Sequence, residues 1–266
     1  MDLRFVGIDW QHDFCSTDGA LYVPGADEDA KRCSAMIKRL KRKITGMHFT
    51  MDCHQLVHIA HPIWWINSKG EHPTPFTIIT IEDVEDGVWK TTNHALQQWS
   101  LHYVKELKNK GKYVLCIWPP HCLIGQKGNN IYDPIAETLT EWEALFRKVD
   151  YRVKGSNPYT EHYSAIEAEV TDSNDPTTQL QTGKGSLIQL LADADIVATT
   201  GQALSHCLAN TIRSVVNNFG EENIKKLWLI KDCTSSVPGF EQLGEDFINE
   251  MVGRGMNITT STEFLS

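Results

Sequence analysis

The residues that could carry chemistry in this chain stand directly after apolar runs. Cys207 follows the run DIVATTG and opens a segment with helical periodicity. A thiol at a helix N-terminus lies in a positive field, which favours the nucleophilic thiolate over the thiol. A cysteine in an apolar helix is more often an inert core residue, so this position alone is a weak signal.

Four further apolar runs also end on polar residues. In chain order these residues are Asp9, Asp52 with His54, His121, and Lys154. Each alone fits a structural role, such as a turn cap, a core histidine or an exposed lysine. Because the carboxyl ends of parallel strands share one edge of a sheet, we expect all of them to meet Cys207 there. A carboxylate that accepts the thiol proton and an ammonium that stabilises the thiolate would activate Cys207, and Asp9 and Lys154 suit these tasks.

Five segments carry a resemblance to a known family. In chain order they are VGIDWQHDF, MDCHQLVH, WPPHC, VKGSNPYTEHYSA and GQALSHC. Together they resemble the isochorismatase-like cysteine hydrolases, and within them the nicotinamidase and pyrazinamidase branch. The resemblance extends from about Leu3 to the C-terminal ITTSTEFL. A single one of these motifs would be a weak indication, whereas five in register are a strong one.

The resemblance implies a metal-dependent cysteine amidohydrolase that converts nicotinamide and water to nicotinic acid and ammonia, with a role in NAD salvage. The intermediate would be a thioester on Cys207. Two alternatives stay open: a related hydrolase that acts on a different small amide or related substrate, and a non-catalytic metal-binding protein. Isochorismatase-type members generally lack the metal-ligand set, which argues against an isochorismate substrate.

Carried over residue by residue, the resemblance implies a catalytic triad of Asp9, Lys154 and Cys207. The backbone N–H groups of Ala203 and Cys207 would form the oxyanion hole. The family also implies a cis peptide bond between Gln202 and Ala203, a conformation that is rare outside proline and concentrates at functional sites.

The metal ligands implied by the resemblance are Asp52, His54 and His121, while His58 lies near the metal without binding it. Two imidazoles and one carboxylate suit Zn²⁺, and they also accept Fe²⁺ or Mn²⁺. Three protein ligands leave coordination positions open for water or substrate.

Family positions that line the substrate pocket are occupied by Phe14, Trp118 and Tyr163. Flat aromatic walls suit a flat heteroaromatic amide. Ser205 stands where the family commonly has Asp, in the turn before the nucleophile. A serine there can cap the following helix, so we expect the fold to tolerate it.

Alternation of strands and helices predicts a three-layer α/β/α fold with a mostly parallel, roughly six-stranded central sheet. The runs Leu3 to Ile8, Met47 to Met51 and Lys112 to Trp118 are among its expected strands, and Asp133 to Val149 is an expected helix. We expect one isochorismatase-like domain over 1–266, with an insertion at about 61–110. The insertion would pack on the core or make a subunit contact, and the alternative is a lid that reshapes the pocket. Within it, Trp64 and Trp65 are candidates for an interface or the pocket rim.

Composition is consistent with an enzyme that acts on small molecules. The formal net charge is −9, and nonspecific nucleic-acid binding needs a positive field, so nucleic acid is not an expected partner. We expect a small amide substrate, no membrane association and a fold compatible with a homo-oligomer. Seven cysteines without Cys-x-x-Cys spacing, and no signal-type apolar stretch, predict a cytoplasmic protein.

Overall fold

A central parallel sheet organises the computed structural model, which describes all 266 residues. The ten strands are β1 (Leu3–Ile8), β2 (Gly46–Asp52), β3 (Trp65–Ile66), β4 (Ile78–Ile79), β5 (Lys90–Thr91), β6 (Leu115–Cys116), β7 (Val149–Lys154), β8 (Ile196–Gly201), β9 (Leu227–Ile230) and β10 (Asn257–Thr259). The six-stranded sheet has the order β10-β9-β8-β1-β2-β7, and every neighbouring pair is parallel. The predicted α/β fold class is confirmed.

Helices flank this sheet. They are α1 (His12–Cys15), α2 (Ala26–Leu40), α3 (Ile81–Glu85), α4 (Gln97–Asn109), α5 (Asp133–Glu143), α6 (Leu187–Ala192), α7 (Ala209–Val216) and α8 (Glu241–Gly253). Helix α2 packs on α5, and α8 packs on a π-helical turn, Leu204–Leu208, that runs directly into α7. None of the helices has both the length and the apolar character needed to cross a membrane.

The inner strands β1, β2, β8 and β9 have the burial that a doubly covered parallel sheet requires, whereas the edge strands β7 and β10 are partly exposed. In β1 every residue except Arg4 is buried, and the apolar side chains of β8 and β9 join the same core. Strands covered on both faces are apolar almost throughout, which is why their polar residues occur at the ends. The carboxyl ends of β1, β2, β7 and β8 therefore present Asp9, Asp52, Lys154 and the Cys207 turn at one edge.

The prediction that Lys112 to Trp118 forms a strand of the central sheet is wrong. Only Leu115–Cys116 is extended, and it pairs antiparallel with Ile78–Ile79 from the inserted segment. The insertion supplies a local pairing partner, and apolar periodicity does not specify which partner a strand takes. The loop after β6 contacts the site through Cys122, whose carbonyl accepts a hydrogen bond from the N–H of His54 at 3.1 Å.

The inserted segment folds onto the core, and its two tryptophans are not at an interface or a pocket rim. Trp65 is fully buried and donates its Nε1–H to the carbonyl of Ile59 at 2.7 Å. Trp64 is also buried and donates to Ser100 Oγ at 3.0 Å. Both belong to the main apolar cluster, where a large aromatic with a satisfied N–H is stable.

The helix predicted over Asp133 to Val149 is too long at its C-terminal end. Helix α5 ends at Glu143, and Val149 already begins β7. Phe146 lies between them with φ of 58°, in the left-handed region that a helix cannot contain.

Candidate active site

Cys207 lies in the π-helical turn that follows β8. Gly201 ends the strand with φ of 124°, and a Cβ there would lie 2.1 Å from the carbonyl oxygen of Ile8. Only glycine fits this close approach of two backbones. The peptide bond between Gln202 and Ala203 is cis, as the resemblance implies. The chain thus turns sharply, and Cys207 falls within the first helical turn after the sheet edge.

The structure brings the three predicted catalytic side chains together. Lys154 Nζ lies 3.0 Å from Asp9 Oδ2 and 3.6 Å from Cys207 Sγ. The ammonium also donates to the carbonyl of His162 at 2.8 Å. All three side chains are buried, although they come from positions almost two hundred residues apart.

Asp9 is held in place by Thr50 of the neighbouring strand β2. The Asp9 backbone adopts φ of 46°, a left-handed conformation that costs energy in a non-glycine residue. Its N–H donates to the carbonyl of Thr50, and the Thr50 hydroxyl donates to Asp9 Oδ1 at 2.6 Å. These bonds leave Oδ2 directed at Lys154.

Burial and neighbouring charges control protonation here. Burial raises the pKa of Asp9; Lys154 opposes this effect and Asp52 adds to it. Burial also raises the pKa of the Cys207 thiol well above its ordinary value, although Lys154 acts in the opposite direction. The resting nucleophile is therefore a neutral thiol. The helix field does not produce a thiolate by itself, because loss of hydration outweighs it.

Three side chains beside the triad form a candidate metal centre. Asp52 Oδ2 lies 2.9 Å from His54 Nε2 and 3.5 Å from His121 Nε2. The Nδ1 of His54 faces the carbonyl of Gly155 at 3.1 Å, and the Nδ1 of His121 faces the carbonyl of Pro119 at 2.8 Å. A carbonyl only accepts, so each Nδ1 carries a proton, and Nε2 is the ring nitrogen that lies beside the carboxylate.

This donor set fits a divalent cation. Two imidazole nitrogens and a carboxylate oxygen converge here, and these three ligand atoms lie within 4.8 Å of one another. Imidazoles whose Nδ1–H donates to a backbone carbonyl are typical of metal-binding histidines. The donors present match the set predicted from the sequence, and their chemistry is appropriate to Zn²⁺.

A second cluster, His54 with His58 and Glu161, is also compact enough to suggest a metal. However, His58 uses both ring nitrogens in hydrogen bonds. Its Nε2–H donates to the carbonyl of Thr160 at 3.1 Å, and its Nδ1 accepts from the N–H of Ala60 at 3.2 Å. His58 is therefore not a ligand, in agreement with the expectation.

Lys154 links the triad to the metal centre. Its ammonium lies 3.1 Å from Asp52 Oδ1, in addition to its contact with Asp9. Burial alone would lower the pKa of Lys154, but Asp52 and Asp9 together raise it well above its ordinary value. One permanently charged ammonium thus holds both carboxylates.

The predicted aromatic residues line a small cavity next to the nucleophile. Phe14, Trp118 and Tyr163 share its wall with Cys207 and the metal-facing side chains. Trp118 donates its Nε1–H to the Tyr163 hydroxyl at 3.0 Å, which fixes both rings. An aromatic wall of this kind suits a flat, largely apolar ring.

Sequence reasoning missed two polar residues of this cavity, His206 and Glu161, and two apolar ones, Leu21 and Val237. Neither polar residue follows a strand, although each lies one or two positions from a predicted residue. Burial lowers the pKa of His206 to about 3, so its imidazole is neutral. Ser205 bonds the ring of His206 at 2.8 Å and accepts from the N–H of Val237. It therefore does not cap the following helix, contrary to expectation.

Solved structures with the same architecture are nicotinamidases and pyrazinamidases. The yeast nicotinamidase Pnc1p bound to the inhibitor nicotinaldehyde has a TM-score of 0.66 at 18% identity, covering 97% of this chain and 99% of the yeast chain. A nicotinamidase/pyrazinamidase of Acinetobacter baumanii has a TM-score of 0.61 at 19% identity, covering 99% and 98%. The pyrazinamidase of Pyrococcus horikoshii in complex with zinc has a TM-score of 0.55 at 17% identity, covering 98% and 99%.

This chain has the isochorismatase-like hydrolase fold. The likeness extends over nearly the full length of both partners in each comparison. No protein-family model and no curated protein sequence matches the chain. The sequence therefore differs greatly from those of its structural neighbours, while the fold is shared.

Proposed function

We propose that this protein is a metal-dependent cysteine amidohydrolase whose substrate is nicotinamide. The observation that carries the proposal is the meeting of two half-sites at one aromatic cavity. Cys207, Asp9 and Lys154 form the first, and Asp52, His54 and His121 the second. A thiol with a base and a cation beside it is suited to acyl transfer. The structural neighbours that bind nicotinaldehyde or zinc support both the ring and the metal.

The first half-reaction would begin with proton transfer. Asp9 takes the thiol proton as Cys207 Sγ forms a bond to the carboxamide carbon, and negative charge develops on the carbonyl oxygen. Lys154 stabilises the sulfur as its charge grows, which a neutral resting thiol requires. The N–H groups of Ala203 and Cys207 would donate to the oxyanion, which exists only during reaction.

Collapse of this intermediate breaks the C–N bond. Asp9 returns its proton to the leaving nitrogen, so that ammonia departs and a thioester remains on Cys207. Water then attacks the thioester carbon while Asp9 again accepts a proton. Breaking of the S–C bond regenerates the thiol and releases nicotinic acid.

Asp52, His54 and His121 would hold the metal ion. A divalent cation held there, such as Zn²⁺, would supply a Lewis acid for a heteroaromatic nitrogen, while Phe14, Trp118 and Tyr163 would enclose the ring. The remaining contribution of the protein is orientation, because a ring fixed at one end and walled by aromatic groups directs its carboxamide at Cys207.

We further propose that residues 1–266 act as one domain in which 61–110 is an insertion. The substrate, nicotinamide, is released from pyridine cofactors, so the reaction would contribute to NAD salvage in the cytoplasm.

Ammonia release from nicotinamide tests the proposal. The purified, metal-loaded protein should release ammonia, and both Cys207→Ala and chelation should abolish it. Cys33→Ala is a matched control, because Cys33 is a buried thiol on α2 outside the cavity. Turnover that survives Cys207→Ala or complete metal removal would refute the proposed mechanism, and absence of any ammonia release by the wild type would refute the substrate.

A further inference from the structure

A carboxylate with no lysine or arginine partner lies in the wall of the catalytic cavity. Glu161 is 4% exposed and lines the cavity together with Cys207 and the aromatic residues. No lysine or arginine pairs with it; its ionisable contact is His54, whose Nε2 lies 3.8 Å from Oε1. His58, the other histidine of this cluster, does not pair with Glu161, because both of its ring nitrogens are already in hydrogen bonds.

The two oxygens of Glu161 have different surroundings. Oε1 accepts a hydrogen bond from the backbone N–H of His162 at 2.9 Å. Oε2 has no hydrogen-bond partner, yet it is not one of the fully enclosed polar atoms of the protein. Because Glu161 belongs to the cavity wall and Oε1 is already bonded, Oε2 is the oxygen that remains available to a ligand.

A carboxylate that faces a small, water-poor cavity has two effects on a ligand. It accepts a hydrogen bond from an N–H or O–H donor, and it repels a second negative charge far more strongly than it would in water. A neutral carboxamide satisfies the first condition. A molecule of the same shape that carries a carboxylate is repelled by Glu161.

We propose that Glu161 is a specificity-determining residue that selects neutral amides and excludes carboxylates from the cavity. This inference rests on the proposed function, in which an amide becomes a carboxylate product. The proposal predicts two properties of the cavity. A substrate that already carries negative charge, such as a dicarboxylate, would bind poorly, and the acid formed in the reaction would be expelled by the same residue.

Alkylation of Cys207 by two reagents of nearly equal size measures this selection without reliance on nicotinamide. Iodoacetamide is neutral and iodoacetate is anionic, and each forms the same S–C bond with loss of iodide. Mass spectrometry of the peptide that carries Cys207 gives the two rate constants in the metal-loaded protein. In Glu161→Gln, the ratio of the iodoacetamide to the iodoacetate rate constant should fall by about tenfold or more.

Three comparisons make the test decisive. Glu161→Gln is isosteric and keeps the bond from the His162 N–H, so its melting temperature should stay close to that of the wild type. Glu161→Asp retains the charge and should retain most of the ratio. Glu167→Gln removes a nearby carboxylate that does not line the catalytic cavity, and it should leave the ratio unchanged.

An unchanged ratio in folded Glu161→Gln would overturn the inference, and so would failure of both reagents to modify Cys207 in the wild type. The proposed function fails separately, through absence of ammonia release. In that case a shifted alkylation ratio would still establish charge selection. Protection of Cys207 by nicotinamide should exceed protection by nicotinate, and the difference should shrink in Glu161→Gln.

Discussion

Lys154 and Asp9 form an ion pair of 3.0 Å in which neither side chain is more than 2% exposed. The same ammonium lies 3.1 Å from Asp52 Oδ1, so it joins the base beside the nucleophile to a ligand of the candidate metal centre. Three charges buried together are costly unless each keeps its partners. The two half-sites are therefore electrostatically dependent on one residue.

Removal of this cation should damage stability as well as activity. In Lys154→Met two carboxylates lose their partner, and we expect a loss of about 3–5 kcal/mol in the free energy of unfolding. The double variant Asp9→Asn/Lys154→Met should recover part of this loss, because one uncompensated charge is gone. Urea unfolding of Asp9→Asn, Lys154→Met and the double variant gives the coupling free energy between the two residues. Additive losses in the free energy of unfolding would show that Asp9 and Lys154 do not compensate each other's charge.

Asp9→Asn tests the role of Asp9 in proton transfer. The amide keeps the shape of Asp9 but cannot accept the thiol proton, so kcat should fall by about 10²–10⁴-fold. Steady-state ammonia release measures this effect. A decrease of less than about tenfold would assign the base role to another group.

Gly155→Ala should weaken metal binding. Gly155 has φ of 81°, and a Cβ there would lie 2.6 Å from Asp52 Oδ1 and 2.9 Å from His54 Cε1. Both are ligand side chains, so they would have to move. We expect metal affinity to fall by about tenfold or more, measured by competition with a chelator of known affinity. Gly70→Ala is a suitable control, because Gly70 also has positive φ and has nothing within 4 Å of its Cβ position. Equal affinity in both variants would show that the ligands tolerate the displacement.

Trp118→Ala should raise KM for nicotinamide by about tenfold or more, since it removes an aromatic wall of the cavity. Tyr163→Phe is the milder test. It removes the acceptor of the Trp118 N–H but keeps the ring, so its effect should be much smaller. An unchanged KM in Trp118→Ala would contradict stacking of the substrate at this position.

Stability should decrease as pH rises from about 4.5 to 7, in part because of Glu169. Burial raises the pKa of Glu169 to about 7, and Lys112 only partly opposes this effect. Over this window the folded protein retains a proton that the unfolded chain releases. The contribution is on the order of 3 kcal/mol when complete.

Urea unfolding at about pH 5 and about pH 8 measures this contribution, which Glu169→Gln should largely remove. The control Glu245→Gln alters an exposed carboxylate on α8 and should keep the wild-type pH dependence. If Glu169→Gln and the wild type lose the same stability between the two pH values, Glu169 does not titrate in this range.

Much of this site could be predicted because parallel strands fix where their ends lie. Asp9, Asp52 and Lys154 each end a strand of the central sheet, and Cys207 follows another after a glycine turn. Local apolar runs identify such strands, and sheet geometry then brings their ends together. His121 lies beside Asp52, as expected, although the strand before it belongs to another sheet.

The remaining residues depend on packing that no local pattern encodes. Glu161 lies in a segment without regular structure, and its position is set by the N–H of His162 and the hydroxyl of Tyr103. Sequence alone places Trp64 and Trp65 at an interface or the pocket rim, because their hydrogen-bond partners, Ser100 and Ile59, cannot be recognised from sequence. Protonation of Cys207 depends on burial, and sequence shows only the helix beside it.

Acid quenching of a single turnover tests the central claim most directly. Enzyme in excess over nicotinamide should carry a nicotinoyl group on the peptide that contains Cys207 at early times, and the adduct should decay as nicotinic acid appears. Ammonia release with no adduct on Cys207 at any time, or an adduct on a different residue, would contradict the account.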